Sequence, residues 1–313
     1  MSQEPHRRPI GATISRTLWI WARLLAGATI LVALVWRQGA GPFVDGVRLT
    51  SPEALLTALV VTAGTTLCAA WRWSQVARRL GVAVPVRTAL AAYYRSQFLN
   101  ATLPGGVLGD VHRGVSHGRE TGAMGRGLRS VAWDRAIGQA VQAVLALGAV
   151  VLLVPAVRTP VVLVAVVGVA ALGLAAATLP RRVRLVLVED LGQLSAVATR
   201  VVLASGLAAA GHVVVFVVAA RTAGVTAPLA ELAPLALVVL LVSAVPVGIA
   251  GWGPREGAAA WVFGAVGLGA AQGLTVAVVY GVMALAATLP GVVVPVRRGD
   301  GVRAPRLEEA AHG

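Results

Sequence analysis

Long apolar runs alternate along the chain with short clusters of arginine, proline and glycine. The runs fall at about 18–36, 54–71, 130–154, 161–179, 201–220 and 272–296. At 1.5 Å per residue each is long enough, as a helix, to cross or nearly cross a hydrocarbon layer about 30 Å thick. Two further stretches are apolar but broken. Residues 88–110 carry Tyr93, Tyr94, Arg95, Ser96, Gln97 and Asn100 before Pro104-Gly105-Gly106, too polar and interrupted to face lipid. A re-entrant hairpin, or an interfacial helix shielded by protein, is the viable form. Residues 233–268 read either as a second re-entrant hairpin or as two short spans. The pattern therefore predicts an all-α polytopic membrane protein of six to eight transmembrane helices with two re-entrant or broken Pro-Gly elements.

Arginine clusters set the expected orientation, because basic residues next to spans stay on the cytoplasmic side. Arg7 and Arg8, Arg78 and Arg79, Arg119 and Arg126, Arg181, Arg182 and Arg184, and Arg297 and Arg298 all fall at one end of alternate runs. Both termini are then cytoplasmic and the protein is a multi-pass protein of the plasma membrane. Residues 1–17 form a basic tail, 18–154 and 155–296 two membrane units, and 297–313 a second tail. The first run is too long for a signal-peptide core and lacks a small-x-small exit, so it reads as an uncleaved anchor. Trp71-Arg72-Trp73 reads as an interface anchor, 155–160 as a tight outer turn, and 181–199 as an amphipathic helix on the inner surface.

Composition sharpens this picture. The chain is 57% hydrophobic and 13% charged, with a mean hydropathy of +0.80, more apolar than a soluble core needs. Its net charge of +14 comes entirely from arginine, since no lysine is present. Because the arginines flank apolar runs, they imply an anionic lipid surface as partner rather than nucleic acid. The single cysteine, Cys68, lies in an apolar run and reads as packing, without a disulfide or a Cys-based metal site. The absence of lysine also excludes a phosphate-binding loop of the form G-x-x-x-x-G-K-[ST], and with it nucleotide-driven transport by this chain alone.

The two broken elements share a skeleton. Pro104, Gly106, Gly109 and Arg113 read P-x-G-x-x-G-x-x-x-R, and Pro246, Gly248, Gly251 and Arg255 repeat it at an offset of 246 − 104 = 142 residues. Moving the first run by 143 residues lands on the fourth, at 161–179, so the match extends beyond the motif. The units are thus predicted to be a duplication. With three crossings in the first, the second must start from the opposite face, an inverted-topology repeat.

Charged groups at membrane depth cost enough to require pairing or a function, roughly 2.5–3.5 kcal/mol each at a helix centre. Arg255 and Glu256 are the only two between Pro234 and Val296. Gly253 permits a sharp turn before them and Pro254 suits the first position of a helix. A helix N-terminus there attracts anions, and a guanidinium matches phosphate oxygens; mutual neutralisation of Arg255 and Glu256 is the plainer reading. Asp110 can pair with Arg113 on a helical turn. Asp134 and Arg135 are placed to extend the network, and Asn100 and Gln97 to hydrogen-bond opened backbone. Tyr93, Tyr94, Trp71, Trp73 and Trp252 read as belt residues, and His112 and His117 as interfacial, with no metal or other cofactor implied.

The run Asn100 to Arg113, Asp134-Arg135, and Pro246 to Glu256 with Gly251 and Gly253 resemble the lysylphosphatidylglycerol synthase transmembrane domain family over about 18–296. The resemblance implies a flippase-like membrane domain, which in some members is attached to a lipid aminoacyltransferase. Here 17 residues follow Val296, so synthase activity is expected to be absent and the chain is not expected to be an enzyme. The expected function is movement of an anionic or modified phospholipid, or of a lipid-linked headgroup, between leaflets. Arg113, Arg255, Glu256, Asp110, Asn100, Asp134 and Arg135 would form the lipid and anion sites. The alternatives are a membrane-embedded enzyme acting on lipid phosphate, and a non-catalytic partner of a separate lipid-modifying enzyme.

Overall fold

The computed structural model describes residues 25–103, 106–245 and 252–293, apart from the side chains of 152 and 153. Among the described residues all regular structure is helical: α1 (Leu25–Gln38), α2 (Gly41–Leu49), α3 (Pro52–Arg79), α4 (Val86–Thr102), α5 (Leu108–Glu120), α6 (Met124–Leu153), α7 (Pro155–Thr178), α8 (Arg181–Ser195), α9 (Ala198–Thr222), α10 (Leu229–Ser243), α11 (Pro254–Ala265), α12 (Ala270–Thr288) and α13 (Pro290–Val293). Five of them are long and apolar enough to cross a membrane: α3, α6, α7, α9, and α12 continued by α13. The protein is a polytopic helical membrane protein. The shorter apolar helices α1 and α10 accompany the five.

Local chemistry explains several of the boundaries. At the start of α3, Ser51 Oγ accepts from the Ala54 amide at 3.2 Å, Pro52 occupies the first turn and Glu53 faces the positive end of the helix dipole. At the start of α11, Gly253 has φ +116, a region L side chains rarely adopt, and its amide donates to Glu256 Oε2 at 2.7 Å. Pro254 follows as the first helical residue, as its ring prefers.

The order of helices repeats. α4 and α10 begin 143 residues apart, at Val86 and Leu229, and α3 and α9 end 143 residues apart, at Arg79 and Thr222. Helices α1 to α6 thus recur as α7 to α12. Neighbour relations repeat too. α3 packs on α4, α4 on α5 and α5 on α6, as α9 packs on α10, α10 on α11 and α11 on α12. Across the halves, α12 lies against α3 and α4 as α6 lies against α9 and α10. α3 and α9, counterparts of each other, form the most extensive contact.

Several expected limits shift. α3 runs on to Arg79 rather than ending at Trp71, and α6 starts at Met124 rather than near 130. Residues 155–160 are not a turn: the chain reverses at Val154 and is already helical at Pro155, with Pro160 inside the helix. Buried polar groups, described below, explain the first two changes, because they let a helix extend through sequence that reads as interfacial. The broken stretch 88–110 resolves into α4 and α5, and 233–268 into α10 and α11, each a pair of short helices. Of the helix-breaking residues, Gly106 (φ +60) and Gly253 have left-handed backbone. Gly109 instead lies inside α5, where an added Cβ would stand 2.1 Å from the Ser96 carbonyl oxygen of α4. Pro104, Gly105, Pro246, Gly248 and Gly251 lie outside the described residues. The amphipathic helix expected at 181–199 is α8, mostly exposed apart from Asp190 and Leu194.

Helices in lipid gain little from hydrophobic exclusion and rely on close approach of small residues. A Cβ at Gly273 of α12 would sit 2.3 Å from the Ala259 carbonyl oxygen of α11, whereas one at Gly64 of α3 would meet nothing within 4 Å. Gly273→Ala is therefore expected to lower stability by about 1–3 kcal/mol through overpacking, while Gly64→Ala leaves it unchanged or slightly raises it. Thermal unfolding of the two variants in the same detergent checks the contrast.

Candidate functional site

The charged side chains of the first half converge on one buried carboxylate. Asp134, on α6, has 0% of its surface exposed. It accepts from Arg72 Nε of α3 at 2.8 Å, from Arg113 Nη2 of α5 at 3.1 Å, and from the Tyr93 hydroxyl of α4 in a short hydrogen bond. Arg72 also donates to Ser205 Oγ of α9 at 3.0 Å, which ties the cluster to the second half. Arg113 is 2% exposed. Its Nη2 bridges Asp134 and Asp110 Oδ1, the latter at 3.0 Å, and its guanidinium lies 3.9 Å from the Tyr93 ring centre and 4.5 Å from that of Trp73. Asp110 is held by Ser96 Oγ and Asn100 Nδ2, each at 2.9 Å, and by Arg135 in a short ion pair.

Asn100 closes the break in the first element. Its side-chain oxygen accepts from the Gly109 amide at 2.8 Å, one of the donors left free at the start of α5. Gln97 does not share this role; its side-chain oxygen accepts from Thr66 Oγ1 of α3 at 3.2 Å.

Charge and hydrogen bonding in this cluster are not balanced. Three guanidinium groups (Arg72, Arg113, Arg135) meet two carboxylates (Asp110, Asp134), leaving one surplus positive charge. Nε and Nη1 of Arg113 are buried without a hydrogen-bond partner. An unmet buried donor costs about 1–3 kcal/mol, more when charged, so these two groups are where an incoming acceptor gains most.

The second half is built differently. Arg255 is 7% exposed, and its Nε and Nη2 both donate to Glu256 Oε1, at 2.9 and 2.5 Å. The other Glu256 oxygen takes the Gly253 amide, so the pair is neutral and anchored to the break. The Trp252 and Tyr280 rings lie 5.0 and 5.7 Å from the Arg255 guanidinium. Glycines make room for arginine in both halves. A Cβ at Gly138 of α6 would come 2.9 Å from Arg72 Nη1, and one at Gly281 of α12, 143 residues later, 2.2 Å from Arg255 Nη2.

A family model, the lysylphosphatidylglycerol synthase TM region, matches residues 20–291. The chain belongs to that family. The matched residues take in both broken elements, both arginine sites and the paired helix series, so the duplication lies within the family region. Comparison with curated proteins and with solved structures gives no match.

The structure brings together Arg113, Asp110, Asp134, Arg135 and Asn100, as expected, and joins Arg255 to Glu256. It places neither arginine at a surface. The belt and anchor roles are corrected as well. Tyr93 and Trp73 are buried against Arg113, Trp73 Nε1 donates to Ser130 Oγ at 3.1 Å, and Arg72 is part of the network rather than an interface anchor. His117 is buried, its Nε2 2.7 Å from the Val82 carbonyl oxygen, while His112 is exposed. Arg72, Tyr93 and Ser205 are the site residues that sequence reasoning missed. An arginine between two tryptophans carries the pattern of an interface, and only the partner on α6 reveals otherwise.

Asp134 is the group on which Arg72 and Arg113 both depend. Asp134→Asn would leave two buried guanidinium groups short of charge, and losing one partner of a buried ion pair costs about 3–5 kcal/mol. The expected outcome is a much reduced yield of folded protein, with a thermal midpoint in detergent well below that of Glu189→Gln, an exposed acid on α8.

Proposed function

We propose that this protein translocates a lipid with an anionic headgroup between the leaflets of the plasma membrane, with both termini cytoplasmic. One observation carries the reading: Arg113 sits at the break of the first element, within a cluster of surplus positive charge, with two buried N–H groups unmet. A phosphate oxygen is the matching acceptor, because the guanidinium fork suits its geometry. The second observation is the repeat. The sequence pattern counts three crossings in the first unit, which would bring the two elements in from opposite faces and give the headgroup a station in each half of the membrane.

The stations are unequal. Arg113 shares its carboxylates with two other arginines and keeps two N–H groups without partners, whereas Arg255 is paired with Glu256, whose carboxylate stands where a headgroup phosphate would compete. A translocator gains from such weak sites, since each must release what it binds.

The test is leaflet exchange of a fluorescent anionic phospholipid in vesicles containing the purified protein. A charge-assisted hydrogen bond is worth about 1.5–3 kcal/mol, so Arg113→Gln is expected to slow exchange roughly ten- to hundred-fold. Arg255→Gln should act more weakly, and the double variant should exchange at the rate of empty vesicles. Unchanged exchange in the double variant removes the mechanism. Mass spectrometry of the same lipid separates this reading from enzymatic modification, because translocation leaves the mass unaltered.

A further inference from the structure

The correspondence between halves fails at one place. In the second half α1 covers the start of α11: a Cβ on Gly253 would lie 3.1 Å from the Gly27 carbonyl oxygen, and one on Gly257 would lie 3.3 Å from Ile30 Cγ2. The counterparts of α11 and α1 are α5 and α7. Yet α7 packs mainly on α6, with a smaller contact to α11, and α5 is not among its main neighbours. The corresponding face of α5 lies open. Leu108 and Val111 are 47% and 50% exposed, on the side of α5 turned away from Arg113, and half-buried Val115 continues that face at helical spacing.

α7 is held by one end. Val154 and Val157 are buried in the larger core and Val161 packs against it. Pro160 stands within this anchor; it removes a backbone donor from the helix and clashes with the carbonyl four residues before it, which makes a bend there easy. From residue 158 to 178 no side chain is buried.

We propose that α7 beyond Pro160 is a lateral gate for the first element. In a second conformation it lies on Leu108, Val111 and Val115 as α1 lies on α11. In the conformation described here that side of α5 is a portal open to the acyl chains of a lipid, and docking of α7 on it would fix in place the helix that carries Arg113. The exchange is undemanding, because lipid chains and the α7 surface are equally apolar and closure trades one apolar contact for another. The role of the portal rests on the translocation reading; the movement of α7 does not.

The repeat specifies where the closed gate touches. Gly27 and Ile30 correspond to Ala170 and Gly173, and Gly253 and Gly257 to Val111 and Val115, using the offsets of the apolar runs and of the motif. Ala170 and Gly173 are both exposed. The experiment uses the full chain with Cys68→Ser, the only native cysteine, carrying Val111→Cys with Ala170→Cys, or Val115→Cys with Gly173→Cys. Each protein is reconstituted in vesicles of phosphatidylcholine and phosphatidylglycerol and oxidised.

Disulfides need Cα atoms within about 7 Å, so an intramolecular bond in either pair reports closure. Its formation should slow exchange of fluorescent phosphatidylglycerol at least tenfold, with recovery on reduction. No intramolecular bond in either pair overturns the gate, as do covalent dimers alone, which would make α7 a contact between copies. A bond that leaves exchange unchanged overturns the portal. Should the unoxidised parent move no lipid, the translocation reading fails by itself, and the disulfide yield still decides whether α7 reaches α5.

Discussion

A carboxylate without exposed surface, Asp134, anchors two guanidinium groups that reach it from different helices, and the first half of the bundle is arranged around that fact. Charges at membrane depth persist only when paired, and pairing three helices through one residue prescribes how α3, α5 and α6 approach. The Tyr93 hydroxyl brings α4 to the same point, and Arg72 continues through Ser205 to α9. Such networks are stable as a whole and vulnerable at the shared member, because removing it strands every partner together.

The duplicated halves use one scaffold for two electrostatic states. Both place an arginine just after a helix break and set it against two aromatic rings, and both hold a glycine where a Cβ would meet a guanidinium, that of Arg72 in the first half and of Arg255 in the second. They differ in the counter-charge. In the second half it comes from Glu256, next in sequence; in the first it comes from Asp110 and Asp134 and is shared among three arginines. A locally neutral site and one with a surplus charge and unmet donors give the repeat a direction that symmetry alone would not supply.

Packing differs between the halves along the same line. The larger apolar core is built mainly from the second half, around Phe216, Phe263, Leu232 and Met283, while the smaller one surrounds Trp73 beside the charge cluster. The start of α11 is covered by α1, whereas one side of α5 stays exposed and α7 packs mainly on α6. The half with the smaller apolar core is therefore also the one carrying the unsatisfied arginine.

The amino-acid sequence by itself determined the class of protein, the repeat and the two arginines, because hydropathy, helix breakers and their spacing are local properties that survive as text. It also placed Asp110 beside Arg113 and Glu256 beside Arg255, since those pairs lie within a helical turn. Only the tertiary structure decided that Arg72, Tyr93 and Trp73 belong to the site and not to an interface. Their partners are Asp134, Ser130 and Ser205, which are distant in the chain. Whether a polar side chain faces headgroups or a buried carboxylate depends on which helix packs beside it, and the pattern along one helix carries no record of its neighbour.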